Sequence, residues 1–405
     1  METTKQPKVL LLEGVHVNSV KILEKAGFQV ERLLTSLPPA ELKEKIKDIN
    51  FIGIRSRTHL TKDILACAKN LAGIFCFCIG TNQVDLDYAQ ERGIPVFNSP
   101  FSNTRSVAEL TIAATIFLMR GIPQKNLAAH RGEWQKSAKN SFEVRKKNLG
   151  IVGYGNIGAQ LSVIASGLGM HVYYYDIENK LPHGNSRKVN SLRELLEISD
   201  VVSLHVPATP ETENMMNRET FSQMKDGSYL INYSRGNVVD IEALVENLKS
   251  GKILGAAIDV FPVEPKSKEE KFVSPLQGFD NVILTPHIGG STKEAQENIG
   301  LDAAEKLVKF AKFGVTAGAV NFPQLSVSPL AKGKVRIIHI HQDRPGIMRK
   351  IHEIIFSREI NISGEWLQTN GEIGYAVLDL DKVDDQSTLF SELKNIPGTI
   401  KTKII

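Results

Sequence analysis

The 405-residue chain is short of cysteine, of net charge and of long apolar runs. Its three cysteines are Cys67, Cys76 and Cys78. A lone C-x-C pair in an apolar, strand-like run lacks the ligand count of a structural zinc site. Free buried thiols are therefore expected at Cys76 and Cys78, no metal site is expected, and a reducing compartment fits. The 49 basic and 45 acidic residues leave a formal charge of +4. That is too little to point to nucleic acid or a membrane surface, although local positive charge can still serve small anions. No apolar run reaches spanning length, and the N-terminus lacks the basic-then-apolar order of a secretory signal. A cytoplasmic protein is expected. The hydrophobic share of 42% and charged share of 23% are ordinary, and the length suffices for two or three domains.

Against that bland background one stretch stands out, Leu149-Gly-Ile-Val-Gly-Tyr-Gly-Asn-Ile-Gly158. An apolar run precedes Gly153, Gly155 and Gly158, an apolar periodic stretch from Ala159 to Leu168 follows, and a second run from Met170 to Tyr175 ends at Asp176. This is the order of a dinucleotide site. Gly153 permits the tight turn, Gly155 lets the backbone approach a pyrophosphate, and Gly158 lets helix and strand pack closely. The helix start offers unpaired N–H groups to phosphate. Asp176 suits a ribose diol and repels a 2'-phosphate, so NAD is favoured over NADP. A glycine-rich turn without a ligand is the plain alternative.

Before this motif, short apolar runs at 8–12, 28–33, 51–54, 71–79 and 94–97 alternate with helical patterns, which predicts a small parallel sheet covered by helices. A long helix is expected from Thr104 toward Gly121. After the motif, βα units follow at 201–206, 229–232, 253–259 and 282–284, giving a doubly wound sheet. A further helix from about Thr292 to Phe313 is expected to return to the first domain, making that outer domain discontinuous. The predicted division is an outer domain of 1–103 and 290–322, a nucleotide domain of 104–289, a linker of 323–332 and a final domain of 333–405. The last segment reads βαββαβ, a ferredoxin-like split unit suited to sensing or to oligomerisation.

Arg235, Glu264 and His287 each follow a predicted strand, and C-terminal strand ends face the ligand crevice of an open α/β sheet. Histidine can exchange a proton near neutral pH, a carboxylate on its other nitrogen would fix its tautomer, and arginine offers a planar fork for a carboxylate or carbonyl. The set suits interconversion of an alcohol and a ketone. A helix cap at His287 and a surface acid at Glu264 remain open alternatives. Arg55 and Arg57, one residue apart after a strand, could clamp phosphate or simply line a solvated loop. The segment from Asn103 to Glu109 could add polar groups at a helix start.

Arg235-Gly, Gly255 to Pro265 and Thr285-Pro-His-Ile-Gly-Gly290 resemble the signatures of the D-isomer-specific 2-hydroxyacid dehydrogenases. The likeness extends to Glu13-Gly-Val-His16, Ile52 to Thr58, Gly80 to Asp85 and Asn98 to Glu109, and so covers nearly the whole chain. It is strongest to the short bacterial branch with one C-terminal ACT domain. The resemblance implies an α/β fold with a Rossmann-like nucleotide domain, a flavodoxin-like outer substrate domain and a ferredoxin-like ACT domain. It implies oxidation of 3-phospho-D-glycerate to 3-phosphohydroxypyruvate with NAD, in serine synthesis, with 2-oxoglutarate as a further substrate for reduction. It carries Arg235, Glu264 and His287 over as catalytic residues, with His287 as acid and base. Gly153, Gly155, Asn156, Ile157, Gly158, Asp176, Tyr233, Ser234, Asp259, Gly289 and Gly290 fall to the cofactor. Arg55, Arg57, Asn103, Arg235 and His287 fall to the substrate, and Lys136, after Trp134, to the neighbouring subunit's site in a homotetramer. L-serine is implied as allosteric ligand at His341, Asp343 and Asn361.

Two positions depart from the family pattern. Asp343 stands where an asparagine is expected, which predicts persistent but weaker serine inhibition, because a carboxylate cannot donate as an amide does. Tyr233 stands where a small residue is common beside the nicotinamide. Dehydrogenases for other 2-hydroxyacids, and a nucleotide-sensing regulator without turnover, are the competing readings.

Overall fold

The computed structural model describes residues 6–265 and 270–405. The described residues form two compact units, one of 6–102 with 296–405 and one of 103–265 with 270–295.

The first unit holds two sheets. Its parallel sheet runs in the order Gln29–Arg32, Lys8–Leu11, Phe51–Ile54, Gly73–Cys76, Val96–Phe97, the flavodoxin-like 2-1-3-4-5 order. Phe51–Ile54 and Gly73–Cys76 are buried at every residue, as a parallel sheet covered on both faces requires. The run 71–79, read as one strand, pairs only from Gly73 to Cys76, and the chain bends at 77–79. Its neighbour Val96–Phe97 is two residues long, so the ladder has no partner to continue along. Cys76 is buried, whereas Cys67 and Cys78 are half-buried, and all three are free.

The helix Lys293–Phe313 turns Ile299, Ala303, Leu307 and Phe310 into this core at helical spacing. There Phe310 meets Phe51 edge-on with centroids 6.3 Å apart, and Phe75 stacks on Phe97 at 4.8 Å. The second sheet is antiparallel, in the order Ile362–Thr369, Ile373–Leu380, Val335–Gln342, Thr399–Ile404, with helices Ile347–Phe356 and Gln386–Lys394. Period-two alternation feeds two cores. Val335 and Ile337 pack with Ile351, Leu389 and Leu393 of the helices. Ile338 and Ile340 join the phenylalanine core of the parallel sheet. The residues between these sheets, 323–332, carry neither helix nor strand, yet Leu325 is buried and its N–H meets Thr316 Oγ1 at 2.9 Å.

Three side chains of this sheet end the long helix. Arg336 Nη1 donates to Phe313 O at 2.9 Å, Tyr375 Oη to Gly314 O at 2.7 Å, and Lys403 Nζ to Ala311 O at 3.0 Å. Donors and cations at a helix C-terminus satisfy orphan carbonyls and the dipole together. Arg336, fully buried, also forks onto Asp379 at 2.6 and 2.7 Å.

The second unit is a seven-stranded parallel sheet in the order Val282–Leu284, Ile253–Ile258, Ser228–Asn232, Val201–Leu204, Asn148–Val152, His171–Tyr175, Arg187–Lys188. The strand order reverses beside Asn148–Val152, the switch point where such sheets bind ligands. The helix Thr104–Arg120 ends at Gly121 (φ +61°), and Pro123 starts a second helix, Ile122–His130. Among the described residues no single helix is long and apolar enough to cross a membrane.

Candidate active site

At the switch point, each motif glycine has its own spatial reason. Gly153 has φ +90°, and a Cβ there would lie 2.5 Å from His205 O. A Cβ on Gly158 would lie 2.4 Å from Gly153 O. At Gly155 a Cβ would meet nothing within 4 Å, so the backbone faces open space where the helix Asn156–Gly167 begins. That helix start has no side-chain cap, which leaves a twelve-residue helix with N–H groups and dipole available to an anion. Asp176 follows the strand His171–Tyr175. Its Oδ2 accepts from Tyr154 N at 2.7 Å and its Oδ1 from Glu178 N at 2.8 Å. Each carboxylate oxygen keeps acceptor capacity for a diol. The crowded turn, the open backbone and the acid beyond the second strand fit a dinucleotide with a free ribose diol.

The next strand ends carry the reactive side chains. Asn232, fully buried at the end of Ser228–Asn232, accepts from Ser234 N and Oγ at 3.1 and 2.8 Å and donates to Arg235 O at 2.9 Å. It thereby locks the turn that presents Arg235, whose Nη1 lies 2.8 Å from Ser234 O. Tyr233, between them, is buried in the core of this unit, and burial raises its phenol pKa.

Asp259 ends the adjacent strand, only 1% exposed. Its Oδ1 accepts from Thr285 Oγ1 at 2.6 Å and Ile288 N at 2.8 Å, and its Oδ2 from Gly289 N at 2.7 Å. Those bonds bracket His287, which sits at φ +54°, a left-handed conformation rare for residues with a Cβ. The His287 ring then meets Glu264, with Nδ1 2.9 Å from Oε2 and 3.1 Å from Oε1. Glu264 Oε1 is itself held by Phe261 N at 3.1 Å. A carboxylate only accepts, so the proton of the neutral imidazole sits on Nδ1 and Nε2 is left as the base. The Glu264 hydrogen bond raises the His287 pKa against partial burial. Burial pushes Glu264 upward, but His287, the Phe261 N–H and Arg235 outweigh it and leave that carboxyl below its usual range. Both side chains reach solvent, at 53% and 36% exposure. They line a pocket of about 430 Å³ with Phe261, Phe272, Leu284 and Pro286, a mixture of apolar walls and few polar groups typical of small-molecule sites.

Asn103 caps the helix Thr104–Arg120 without a side-chain bond to it. Its Oδ1 is buried with no partner among the described residues, and its amide nitrogen lies 2.5 Å from where a Gly290 Cβ would be. Trp134 is 89% exposed, and Lys136 near it is exposed. Arg55 and Arg57 follow the strand Phe51–Ile54 in the first unit.

In the antiparallel sheet, His341 and Asp343 sit at one end of Val335–Gln342, and Asn361 lies at the other. His341 pairs with Gly374, while Ile362, next to Asn361, pairs with Leu380 and so with the Val335 end. One chain thus does not bring the three together. His341 has a partner that sequence reasoning missed: His339 Nδ1 lies 3.2 Å from His341 Nδ1, and His339 Nε2 lies 3.2 Å from Leu393 O. Burial lowers both pKa values, His339 to about 4, so both rings are neutral at pH 7. Leu393 O can only accept, and Thr399 Oγ1, 3.0 Å from the same nitrogen, gives its own proton to Leu393 O at 3.2 Å and so accepts here, which places the ring proton on His339 Nε2. His339 Nδ1 must then accept from His341 Nδ1–H, and His341 Nε2 is left an acceptor. Asn232, like His339, was missed, because a lone polar residue inside an apolar run gives no sign of its partners.

Comparison with known proteins adds a third line. Residues 112–289 match the family described as D-isomer specific 2-hydroxyacid dehydrogenase, NAD binding domain. Residues 337–401 match an AHAS small subunit-like ACT domain. The chain is 56% identical over 399 residues to the D-3-phosphoglycerate dehydrogenase of Haemophilus influenzae, covering 98% of this chain and 97% of that one. It is 54% identical over 400 residues, with the same coverage, to the enzyme so named in Escherichia coli K12. The solved D-lactate dehydrogenase of Aquifex aeolicus, complexed with NAD and lactic acid, superposes with a TM-score of 0.67 at 31% identity, covering 78% of this chain and all of that one.

Proposed function

The chain belongs to the D-isomer-specific 2-hydroxyacid dehydrogenase family, and from that premise we propose that it oxidises 3-phospho-D-glycerate to 3-phosphohydroxypyruvate with NAD, the reaction that opens serine synthesis. The observation that carries the chemistry is the Glu264–His287 pair at 2.9 Å beside the nucleotide sheet. The substrate follows from the D-3-phosphoglycerate dehydrogenase relatives at 47–56% identity.

NAD, when bound, accepts the hydride from the substrate carbon. Asn156, Ile157 and the open backbone at Gly155 hold its pyrophosphate, and Asp176 its adenosine ribose. Tyr233, Ser234, Asp259, Gly289 and Gly290 would hold its nicotinamide end, Asp259 mainly by holding the loop. His287 Nε2 takes the hydroxyl proton. Glu264 keeps the proton of the neutral ring on Nδ1 and then stabilises the imidazolium, as a carboxylate behind a catalytic histidine does. Arg235 binds the substrate carboxylate and supports charge on the forming carbonyl oxygen. Arg55 and Arg57 are proposed to take the phosphate, Asn103 to bind the substrate as well, and Lys136 to reach the neighbouring subunit's site.

The domain division proposed is outer 1–103 with 290–322, nucleotide 104–289, linker 323–332 and ACT 333–405. A homotetramer fits two observations. An aromatic as exposed as Trp134 suits an interface anchor, and the separated His341 and Asn361 require a second copy to form one ligand site. The ligand proposed there is L-serine, whose ammonium or hydroxyl can donate to His341 Nε2. Reduction of 2-oxoglutarate is proposed as a side activity, and the cytoplasm as the compartment, in keeping with three free thiols.

The deciding experiment follows NADH formation with 3-phosphoglycerate, D-glycerate and D-2-hydroxyglutarate in parallel, at alkaline pH with product trapping. The phosphorylated substrate should lead in kcat/KM. A preference for D-glycerate would overturn the assignment.

A further inference from the structure

The strand Lys8–Leu11 runs into Glu13, one of few residues other than glycine in the left-handed region, at φ +63°. Such a conformation persists only where its surroundings demand it. Here the side chain is aimed into the turn after Phe51–Ile54. Glu13 Oε1 accepts from Arg55 N at 3.1 Å and from Thr58 N at 2.9 Å, and Oε2 accepts from Arg57 N at 3.0 Å. From the other side, Gln83 Nε2 donates to Arg55 O at 2.9 Å.

A hydrogen bond to an N–H or a carbonyl fixes the peptide plane that carries it. The planes flanking Arg55 are held through its own N–H and its own carbonyl. Those flanking Arg57 are held through the N–H groups of Arg57 and Thr58. Four bonds therefore set the backbone of both arginines, and with it the direction in which each side chain leaves the chain. Beyond that, neither guanidinium makes a hydrogen bond or ion pair to a described residue, and Arg57 is exposed. The pair is anchored at its base and available at its tips.

We propose that Glu13 is a positioning residue that holds Arg55 and Arg57 as a preorganised clamp for the phosphate of the substrate. This rests on the reading of the two arginines as the phosphate site. Preorganisation contributes affinity by removing the cost of ordering the loop at binding, so its loss falls on KM for the phosphorylated substrate. The two oxygens also divide the work. In Glu13→Gln the carbonyl oxygen can keep the Arg55 and Thr58 N–H groups, while the amide NH2 is turned against the Arg57 N–H. The conservative variant thus unpins Arg57 selectively, and Glu13→Ala frees both arginines.

The test measures kcat and KM for 3-phosphoglycerate, and kcat/KM for D-glycerate, which lacks the phosphate. Glu13→Ala is expected to raise KM about tenfold and Glu13→Gln about threefold, with kcat held within about twofold and D-glycerate unaffected. In an Arg57→Ala background Glu13→Gln should add nothing, whereas in an Arg55→Ala background it should keep its effect. If both arginine variants raise KM while both Glu13 variants leave it unchanged, the positioning role is overturned and the clamp stands. If neither arginine variant raises KM, the clamp reading falls and takes this inference with it. An equal loss toward D-glycerate would mark Glu13 as merely structural. Should Glu13→Ala not fold, Glu13→Gln with the two double variants decides alone.

Discussion

The nucleotide unit and the ACT sheet each place a histidine where a ligand is proposed, and they treat it in opposite ways. His287 lies half in solvent against a carboxylate, which raises its pKa and makes the imidazolium accessible. His341 lies buried against a second neutral imidazole, and its pKa is lowered. One ring is built to gain and lose a proton. The other is built to keep one tautomer. The partner of the ring, more than the ring itself, decides between chemistry and recognition.

The largest break in this contrast is His287→Ala. Removing the base is expected to lower kcat by about 10²- to 10⁴-fold while NADH binding, followed by fluorescence titration, stays within a few fold. Glu264→Gln is expected to cost less, on the order of tenfold in kcat, and to move the pH profile. Oxidation needs neutral His287, so kcat/KM rises as pH climbs through the raised pKa. Without the charged partner that pKa falls, and the rising limb moves to lower pH. A profile that stays in place would detach Glu264 from the titrating group.

On the recognition side, His339→Leu leaves His341 Nδ1–H without its acceptor. A lost buried hydrogen bond of about 1.4 kcal/mol weakens serine inhibition about tenfold, with uninhibited kcat unchanged. Because both ACT rings titrate below their ordinary value, inhibition should also survive acidification to pH 6.5, where oxidation has already declined. The smallest effect is expected from Asp343→Asn, which removes a negative charge at the proposed serine site and should tighten serine by about threefold. Serine titrations of the rate check both.

Much of the fold was legible because its signals are local. Apolar runs of four or five residues, the glycines of the motif and the βαββαβ order each report a short stretch, and most observed strands overlap those runs, whereas Ile373–Leu380 starts two residues before its run and Arg187–Lys188 follows no apolar run at all. The nearness of Glu264 and His287 could be anticipated because both follow neighbouring parallel strands, Ile253–Ile258 and Val282–Leu284. Glu13, Asn232 and His339 were not legible as positioning residues. Each acts through bonds to backbone groups or to side chains whose proximity the folded chain alone creates. The strand within 71–79 is shorter than its apolar run because a ladder ends where its neighbour does, and that neighbour, Val96–Phe97, comes only after an intervening helix, Leu86–Glu91.

The long helix that begins at Lys293, three residues after Gly290, finishes under three donors from the ACT sheet. At about 1.5 Å per residue its 21 residues make a rod of about 31 Å. Its last carbonyls already have partners, so the final turn is held against the fraying that an uncapped helix end undergoes.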